Sequence, residues 1–189
     1  MRILCALRNV NSFPGVYPSD LIPHSVTRFG CLILNTDPHN QEGSHWLAIH
    51  LTPRSYSGYY FDSYGLTPDI PQFLSFLRRN CTVWDYNRTQ LQGLTSTVCG
   101  KYCCLFALYT DRGFTPKQFV ALFDAGVGRA DSQVNTMFAA EFGSLRNTKC
   151  GGQCCTDFYK SLVFRLVLFI VHLHSHHEGS CYRLRNADR

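Results

Sequence analysis

The stretch GSHWLAIHLTPRSYSGYYFDSYG, residues 43–65, decides the fold because it contains two short apolar runs joined by a loop of turn-forming residues. The runs are Trp46 to Leu51 and Tyr59 to Phe61, and the loop between them reads TPRSYSG. This pattern predicts two antiparallel strands joined as a hairpin. A third apolar run, Cys31 to Leu34, predicts a neighbouring strand of the same sheet.

The hairpin brings a histidine and a carboxylate together. His45 stands at the start of the first strand, and Asp62 stands at the end of the second. Because the strands are antiparallel, both residues lie at the same edge of the sheet, where the carboxylate can accept a hydrogen bond from the imidazole. Trp46 is a core aromatic that we expect to pack against the imidazole.

After the hairpin the chain changes to helical periodicity. Apolar residues spaced three and four apart from Ile70 to Leu77 predict an amphipathic helix, and Thr82 to Tyr86 predicts another strand. The apolar segment Cys99 to Tyr109 predicts a helix buried in the core. Capping residues predict two further helices, from Thr115 to about Phe123 and from Ser132 through Phe142. The fold class expected is α+β, with a central mixed sheet flanked by helices.

Size and composition fit one globular domain. The 189 residues are 45% hydrophobic and 16% charged, which excludes a disordered chain. The net charge of +5 permits contact with nucleic acid but supports it only weakly. The first residues lack a secretory apolar run, so we expect the ten cysteines to be reduced inside a cell. The apolar stretch Ser161 to Leu173 is too short for a membrane helix, so no membrane contact is expected.

Cys99 is the candidate nucleophile. It precedes Gly100 at the predicted start of the buried helix, where free N–H groups and the partial positive charge of the helix stabilise a thiolate. Gln92, seven residues earlier in a polar loop, carries an amide that can serve as an oxyanion donor beside the N–H of Cys99. Cys103 and Cys104 lie further along the apolar helix, and we assign them to packing.

Three motifs carry a resemblance to a known family. They are GSHW at 43–46, YFDSYG at 60–65 and QGLTSTVCGKYCC at 92–104. In this order they resemble the successive active-site motifs of the adenovirus protease family, which includes copies in virus-like mobile elements. The resemblance covers about residues 13–110, starting from FPG at 13–15.

The resemblance implies a function and a role for each candidate residue. Cys99 attacks, His45 is the base, Asp62 orients the histidine where the viral enzymes often carry Glu, and Gln92 helps to form the oxyanion hole. The implied protein is a monomeric cysteine endopeptidase of the nucleus or the virion, cleaving capsid-type precursors near small residues or glycine. Its chemistry requires no cofactor.

The resemblance also implies partners and domain limits. Cys81 lies 18 residues before Cys99, where the viral enzymes form a disulfide with a short activating peptide, and DNA is a further cofactor of the family. Taken alone, Cys81 is a small buried residue at a helix end. The chain begins close to FPG, so we expect the N-terminal helix of the viral enzymes to be missing or truncated. Residues 1–145 are the predicted protease domain, and residues 146–189 are an extension without a counterpart.

Two other functions compete with this reading. A deconjugating protease acting on SUMO or ubiquitin-like proteins shares the residue order and a similar YFDS motif, but those enzymes usually have DCG where this chain has VCG at Val98. A catalytically silent scaffold is disfavoured by the intact quartet. The last cysteines and histidines contain zinc-ligand types but lack CxxC spacing, so no metal site is expected. These residues are Cys150, Cys154, Cys155, His172, His174, His176 and His177.

Overall fold

The computed structural model describes residues 7, 10, 12–27, 29–52, 56–123 and 126–143. A five-stranded sheet, in the order β1-β2-β3-β4-β5, forms its centre. The strands are β1 Gly15–Pro18, β2 Gly30–Asn35, β3 Trp46–Thr52, β4 Ser57–Phe61 and β5 Val83–Tyr86. The three inner strands are antiparallel and both edge strands pair in parallel, so the sheet is mixed, as predicted.

The β3–β4 hairpin confirms the prediction from residues 43–65. Ala48 pairs with Phe61, and Thr52 pairs with Ser57. Side chains of β3 alternate between two core clusters, with Ala48 on one face of the sheet and Leu47 on the other. Because both faces are covered, the strand reads as a continuous apolar run rather than as an alternating one.

Helices cover both faces of this sheet. The α-helices of the described chain are α1 Pro71–Asn80, α2 Cys99–Asp111, α3 Pro116–Val120 and α4 Val127–Phe142, with a 3₁₀ turn at Ala121–Phe123 after α3. α1 packs on one face through Phe73, Phe76 and Leu77. α2 packs on the other face against β2 and β3, and α3 and α4 cover its outer side.

The centre of the α2 face is an aromatic cluster. The ring of Phe106 on α2 stacks on Phe61 of β4, with centroids 4.5 Å apart and planes 9° from parallel. Phe119 of α3 meets both rings edge-on. Surrounded by the sheet and two helices, α2 is buried around most of its circumference, which is why its sequence is apolar on most faces.

The structure departs from the sequence predictions at two elements. β1 was not predicted, because its sequence GVYP contains Gly15 and Pro18, which are depleted in strands and tolerated here at a sheet edge. α4 begins at Val127 rather than after Ser132. The residue before it, Gly126, has φ +89° and turns the chain into the helix without a capping side chain, so the usual sequence signal is absent. Thr115 is the N-cap of α3 and forms a capping box with Gln118, as its capping signal predicted.

The predicted extension, residues 146–189, lies outside the described residues, and so do its cysteines, histidines and apolar stretch. Within the described ranges, no helix is long and apolar enough to cross a membrane. Those same ranges contain no group of three His, Cys, Asp or Glu side chains placed to hold a metal ion.

Gly30 provides a test of the close approach between β2 and the preceding segment. Its φ is +130°, and a Cβ there would lie 1.7 Å from the Ser12 carbonyl oxygen, which accepts the N–H of Cys31. We expect Gly30→Ala to lower the free energy of unfolding by about 3 kcal/mol in urea denaturation. The control is Gly128→Ala in α4, where a Cβ meets nothing within 4 Å and the change raises stability by up to about 1 kcal/mol. Equal midpoints for the two variants would contradict this account.

Candidate active site

His45, Asp62 and Cys99 meet at one edge of the sheet. β3 begins directly after His45, β4 ends directly before Asp62, and α2 begins at Cys99. The distance from His45 Nε2 to Asp62 Oδ1 is 2.8 Å, and the two side chains are 17% and 4% exposed. The Cys99 thiol is the other group that acts on the imidazole, since its interaction raises the pKa of His45. With Nε2 facing the carboxylate, Nδ1 is the ring nitrogen left to exchange a proton with the thiol.

The surroundings of His45 favour its charged form. Burial is the largest single influence and lowers the pKa of the imidazole. The hydrogen bond that the ring donates to the Asp62 carboxylate, the interaction with the Cys99 thiol and the charges of the same two groups act in the opposite direction, and together they raise the pKa from 6.5 to about 9. At neutral pH the histidine therefore holds a proton that it can donate.

Asp62 is held by its backbone as well as by its side chain. Its N–H donates to Asn87 Oδ1 at 2.9 Å, and Asn87 Nδ2 donates back to the Asp62 carbonyl at 2.6 Å. The Asp62 carboxylate also accepts the N–H of Tyr64 at 2.8 Å. Asn87 is buried and directly follows β5, so its position after a strand was the signal that sequence reasoning missed.

Cys99 is the first residue of α2, where the backbone N–H groups have no partner within the helix. The N-cap residue Val98 makes no side-chain hydrogen bond to the first turn of α2, so the N–H groups of Cys99 and Gly100 are not capped by it. Cys103 and Cys104 are buried in the core, as predicted. Burial raises the pKa of Cys104 to about 12 and that of Cys103 well above its usual value, which makes both poor nucleophiles.

Gln92 is fully buried, and every polar atom of its amide has a partner. Its Oε1 accepts the Ser63 hydroxyl at 2.7 Å. Its Nε2 donates to the Ser96 carbonyl at 2.7 Å and to the Tyr64 hydroxyl at 3.2 Å. The amide therefore ties the loop before α2 to the turn that follows β4, and the longer of its two donated bonds goes to Tyr64.

Tyr64, rather than Trp46, lies against the imidazole. The Tyr64 and His45 ring centroids are 4.8 Å apart, with planes tilted by 32°. Among the described residues, Trp46 makes no ring contact with His45 and packs instead into the core cluster that contains Cys99. The expected core position of Trp46 is confirmed, and its expected place against the imidazole is taken by Tyr64. Trp46 is the first residue of β3 and packs into the core, whereas Tyr64 lies in the turn after β4 and its ring contacts the histidine.

Cys81 lies apart from this cluster. It is the C-cap residue of α1 and packs with the core on the α1 face of the sheet, whereas Cys99 belongs to the core on the opposite face. A Cβ added at Gly58 would lie 2.5 Å from the Cys81 sulfur, so the thiol is directed at β4. Burial raises the pKa of Cys81 to about 11.

An α+β domain that places a thiol at a helix start beside a His–Asp pair at the edge of a mixed sheet has the organisation of a cysteine protease. The family follows from the sequence itself. The chain belongs to the adenovirus endoprotease family, whose family model matches residues 11–149. This match confirms the resemblance drawn from the three motifs.

Relatives in the same family share about a third of the aligned residues. The protease of human adenovirus A serotype 12 is 33% identical over 108 residues, which cover 50% of this chain and 49% of that protein. The protease of bovine adenovirus 2 is 30% identical over 135 residues, covering 63% and 62%. The chain thus spans about half to three fifths of the length of these relatives. A solved structure, the ASFV pS273R protease, matches with TM-score 0.43 and 22% identity over 56% of this chain and 41% of that one.

Asp62→Asn tests the electrostatics of the site. Without the carboxylate, the hydrogen bond and the charge of Asp62 no longer offset burial, so we expect the His45 pKa to fall from its value of about 9. A raised pKa means that the imidazolium persists until the pH rises through about 9 and is lost above it, and in the variant it is lost at lower pH. NMR titration of the His45 ring measures the shift. Asp20→Asn removes the carboxylate of a surface pair with His39 and should leave the His45 titration unchanged. If the His45 pKa did not move in Asp62→Asn, Asp62 would not be the group that stabilises the imidazolium.

Proposed function

We propose that this protein is a cysteine endopeptidase with Cys99 as nucleophile, His45 as general base and acid, Asp62 as the group that orients the histidine, and Gln92 as part of the oxyanion hole. The 2.8 Å contact of His45 with Asp62, at the edge of the sheet where α2 begins with Cys99, is the observation that carries the proposal. Membership of the adenovirus endoprotease family supports it.

The reaction follows from these groups. Cys99 gives its proton to His45, and the resulting thiolate attacks the carbonyl carbon of the scissile peptide, so that the oxygen takes up negative charge beside the N–H of Cys99 and the Gln92 amide. His45 gives its proton to the departing amine as the C–N bond breaks, which leaves a thioester on Cys99. A water molecule, deprotonated by His45, then attacks the thioester and releases the carboxylate product and the thiolate.

The substrate class we propose is a capsid-type precursor protein cut near small residues or glycine, inside the nucleus or the virion. Support comes from the family and from the adenovirus relatives, which carry the name protease. The rival substrate class is a SUMO or ubiquitin-like conjugate. A ubiquitin-like protein ending in a reactive vinyl sulfone separates the two classes, because a deconjugating enzyme labels with it readily and a precursor endopeptidase does not.

Cys99→Ala provides the test of the nucleophile. We expect cleavage of glycine-containing precursor peptides to fall by at least about a thousandfold, because no other described thiol faces His45. Cys104→Ala is the matched control, since this buried thiol of α2 has a pKa near 12 and should be dispensable for chemistry. Peptide cleavage followed by mass spectrometry, with circular dichroism to confirm folding, measures both variants. Undiminished cleavage by folded Cys99→Ala would overturn the proposal.

We further propose that an activating peptide binds along β5 and forms a disulfide with Cys81. β5 is an edge strand, and its Val83 side chain is 62% exposed. An edge strand offers unpaired backbone groups to an added strand. Cys81 lies two residues before β5. Because burial raises the pKa of Cys81 to about 11, few thiolates form, so the peptide must first be held in place by β5 before its cysteine exchanges.

A strand-forming peptide carrying one cysteine tests this second proposal. Under mildly oxidising conditions we expect such a peptide to raise the cleavage rate of the wild type about tenfold and to form a disulfide that peptide mapping locates at Cys81. Cys81→Ala should lose both effects while keeping its basal rate, and Cys104→Ala should keep both. Duplex DNA added to the same assay tests the other cofactor expected of the family. A disulfide at another cysteine, or equal activation of Cys81→Ala, would contradict the role of Cys81.

A further inference from the structure

The turn after β4 connects both halves of the candidate active site. Asp62, Ser63 and Tyr64 are consecutive, and each makes a different contact with the site. Asp62 binds His45, Ser63 donates to the Gln92 amide oxygen at 2.7 Å, and Tyr64 contacts both His45 and Gln92. The proposed function assigns roles to Asp62 and Gln92 and leaves Tyr64 unused.

The turn has a backbone that holds Tyr64 in one place. The Tyr64 N–H donates to the same Asp62 oxygen that faces His45, and the Gly65 N–H donates to the Asp62 carbonyl at 2.8 Å. Gly65 has φ +72°, and a Cβ there would lie 2.8 Å from the Thr89 backbone. The chain therefore packs closely behind the turn, and the Tyr64 side chain is directed over His45.

The two contacts of Tyr64 differ in chemistry. Its ring lies 4.8 Å from the imidazole, where a π-face stabilises a cation. Its hydroxyl accepts one N–H of Gln92 at 3.2 Å, while the other N–H makes the shorter bond to Ser96. An oxyanion that needs a donor from Gln92 takes the more weakly held N–H, which is the one directed at Tyr64.

Burial and negative charges both favour the neutral form of the Tyr64 phenol. Burial raises the pKa of the phenol, and so do the negative charges of Cys99, Asp62 and Asp131. The phenol is therefore a neutral partner of the Gln92 amide at neutral pH. Tyr64 thus contacts the His45 ring and the Gln92 amide through its side chain, and the Asp62 carboxylate through its N–H.

Resting on the proposed function, we infer that Tyr64 is a positioning residue that couples the two halves of the site. Its ring holds the His45 imidazolium in the orientation set by Asp62, and its hydroxyl keeps the Gln92 amide turned toward the oxyanion until the oxyanion replaces it.

Two substitutions separate the ring from the hydroxyl. Tyr64→Phe keeps the ring, so we expect kcat to fall about fivefold to tenfold with KM within about twofold, and the pH dependence of Cys99 alkylation by iodoacetamide to stay unchanged. Tyr64→Leu removes both contacts. Its kcat should fall further, and Cys99 should become reactive only at a pH about half a unit higher, since a less stable imidazolium stabilises the thiolate less. Tyr17→Phe is the matched control, because its hydroxyl donates to the Pro14 carbonyl at 3.1 Å.

The outcomes distinguish this inference from the proposed function. Alkylation of Cys99 requires no substrate, so it tests the link between Tyr64 and His45 even for a protein that cleaves none of the peptides offered. The inference fails if both Tyr64 variants match Tyr17→Phe in kcat and in alkylation profile while Cys99→Ala abolishes cleavage. It also fails if kcat falls only in proportion to the folded fraction seen in thermal unfolding. The proposed function fails if Cys99→Ala cleaves like the wild type, whatever the Tyr64 variants do.

Discussion

The interaction on which the site depends is the sharing of one Asp62 oxygen between His45 Nε2 and the Tyr64 N–H, each 2.8 Å away. One bond orients the imidazole, and the other closes the turn that brings Tyr64 back over the histidine. Because Asn87 holds the Asp62 backbone from behind with two further bonds, the carboxylate has little freedom to turn away. Loss of this oxygen would therefore release the histidine and the turn together.

The sheet provides the rigid support for this arrangement. β3 and β4 lie in its middle and are covered by α1 on one face and by α2 on the other. A strand buried on both faces cannot slip by one residue without moving its side chains to the wrong core. The pairing of Ala48 with Phe61 consequently fixes His45 and Asp62 just beyond the paired segment, at the end of the sheet where α2 begins.

The electrostatics of His45 show why burial and partners have to be considered together. Burial alone would favour a neutral imidazole, and the partners reverse this effect to give a pKa of about 9. Cys103 and Cys104 of α2 show the contrasting case. Burial raises the pKa of these thiols, and for a thiol a raised pKa means that the neutral form persists. Because the charge of His45 depends on its contact with these partners, a group that fixes the position of the imidazole also affects its charge. The Tyr64 ring lies against the imidazole and is such a group.

The sequence by itself determined the strands of the hairpin and the helix that begins at Cys99, because apolar periodicity and turn residues are local signals. It also gave the candidate residues His45, Asp62, Cys99 and Gln92, because the motifs that contain them are contiguous. Only the tertiary structure decided what surrounds those residues. Asn87 and Ser63 hold the site through contacts between residues that are 25 and 29 positions apart in the chain. The place of Asn87 after a strand is a local signal, but the partner that it holds is not. Trp46 was expected beside the imidazole because it is adjacent in the chain, but the strand carries it into the core and the turn puts Tyr64 there instead. Which residues touch depends on register and on the path of a turn, and both are set by packing between elements rather than by the propensity of any one of them.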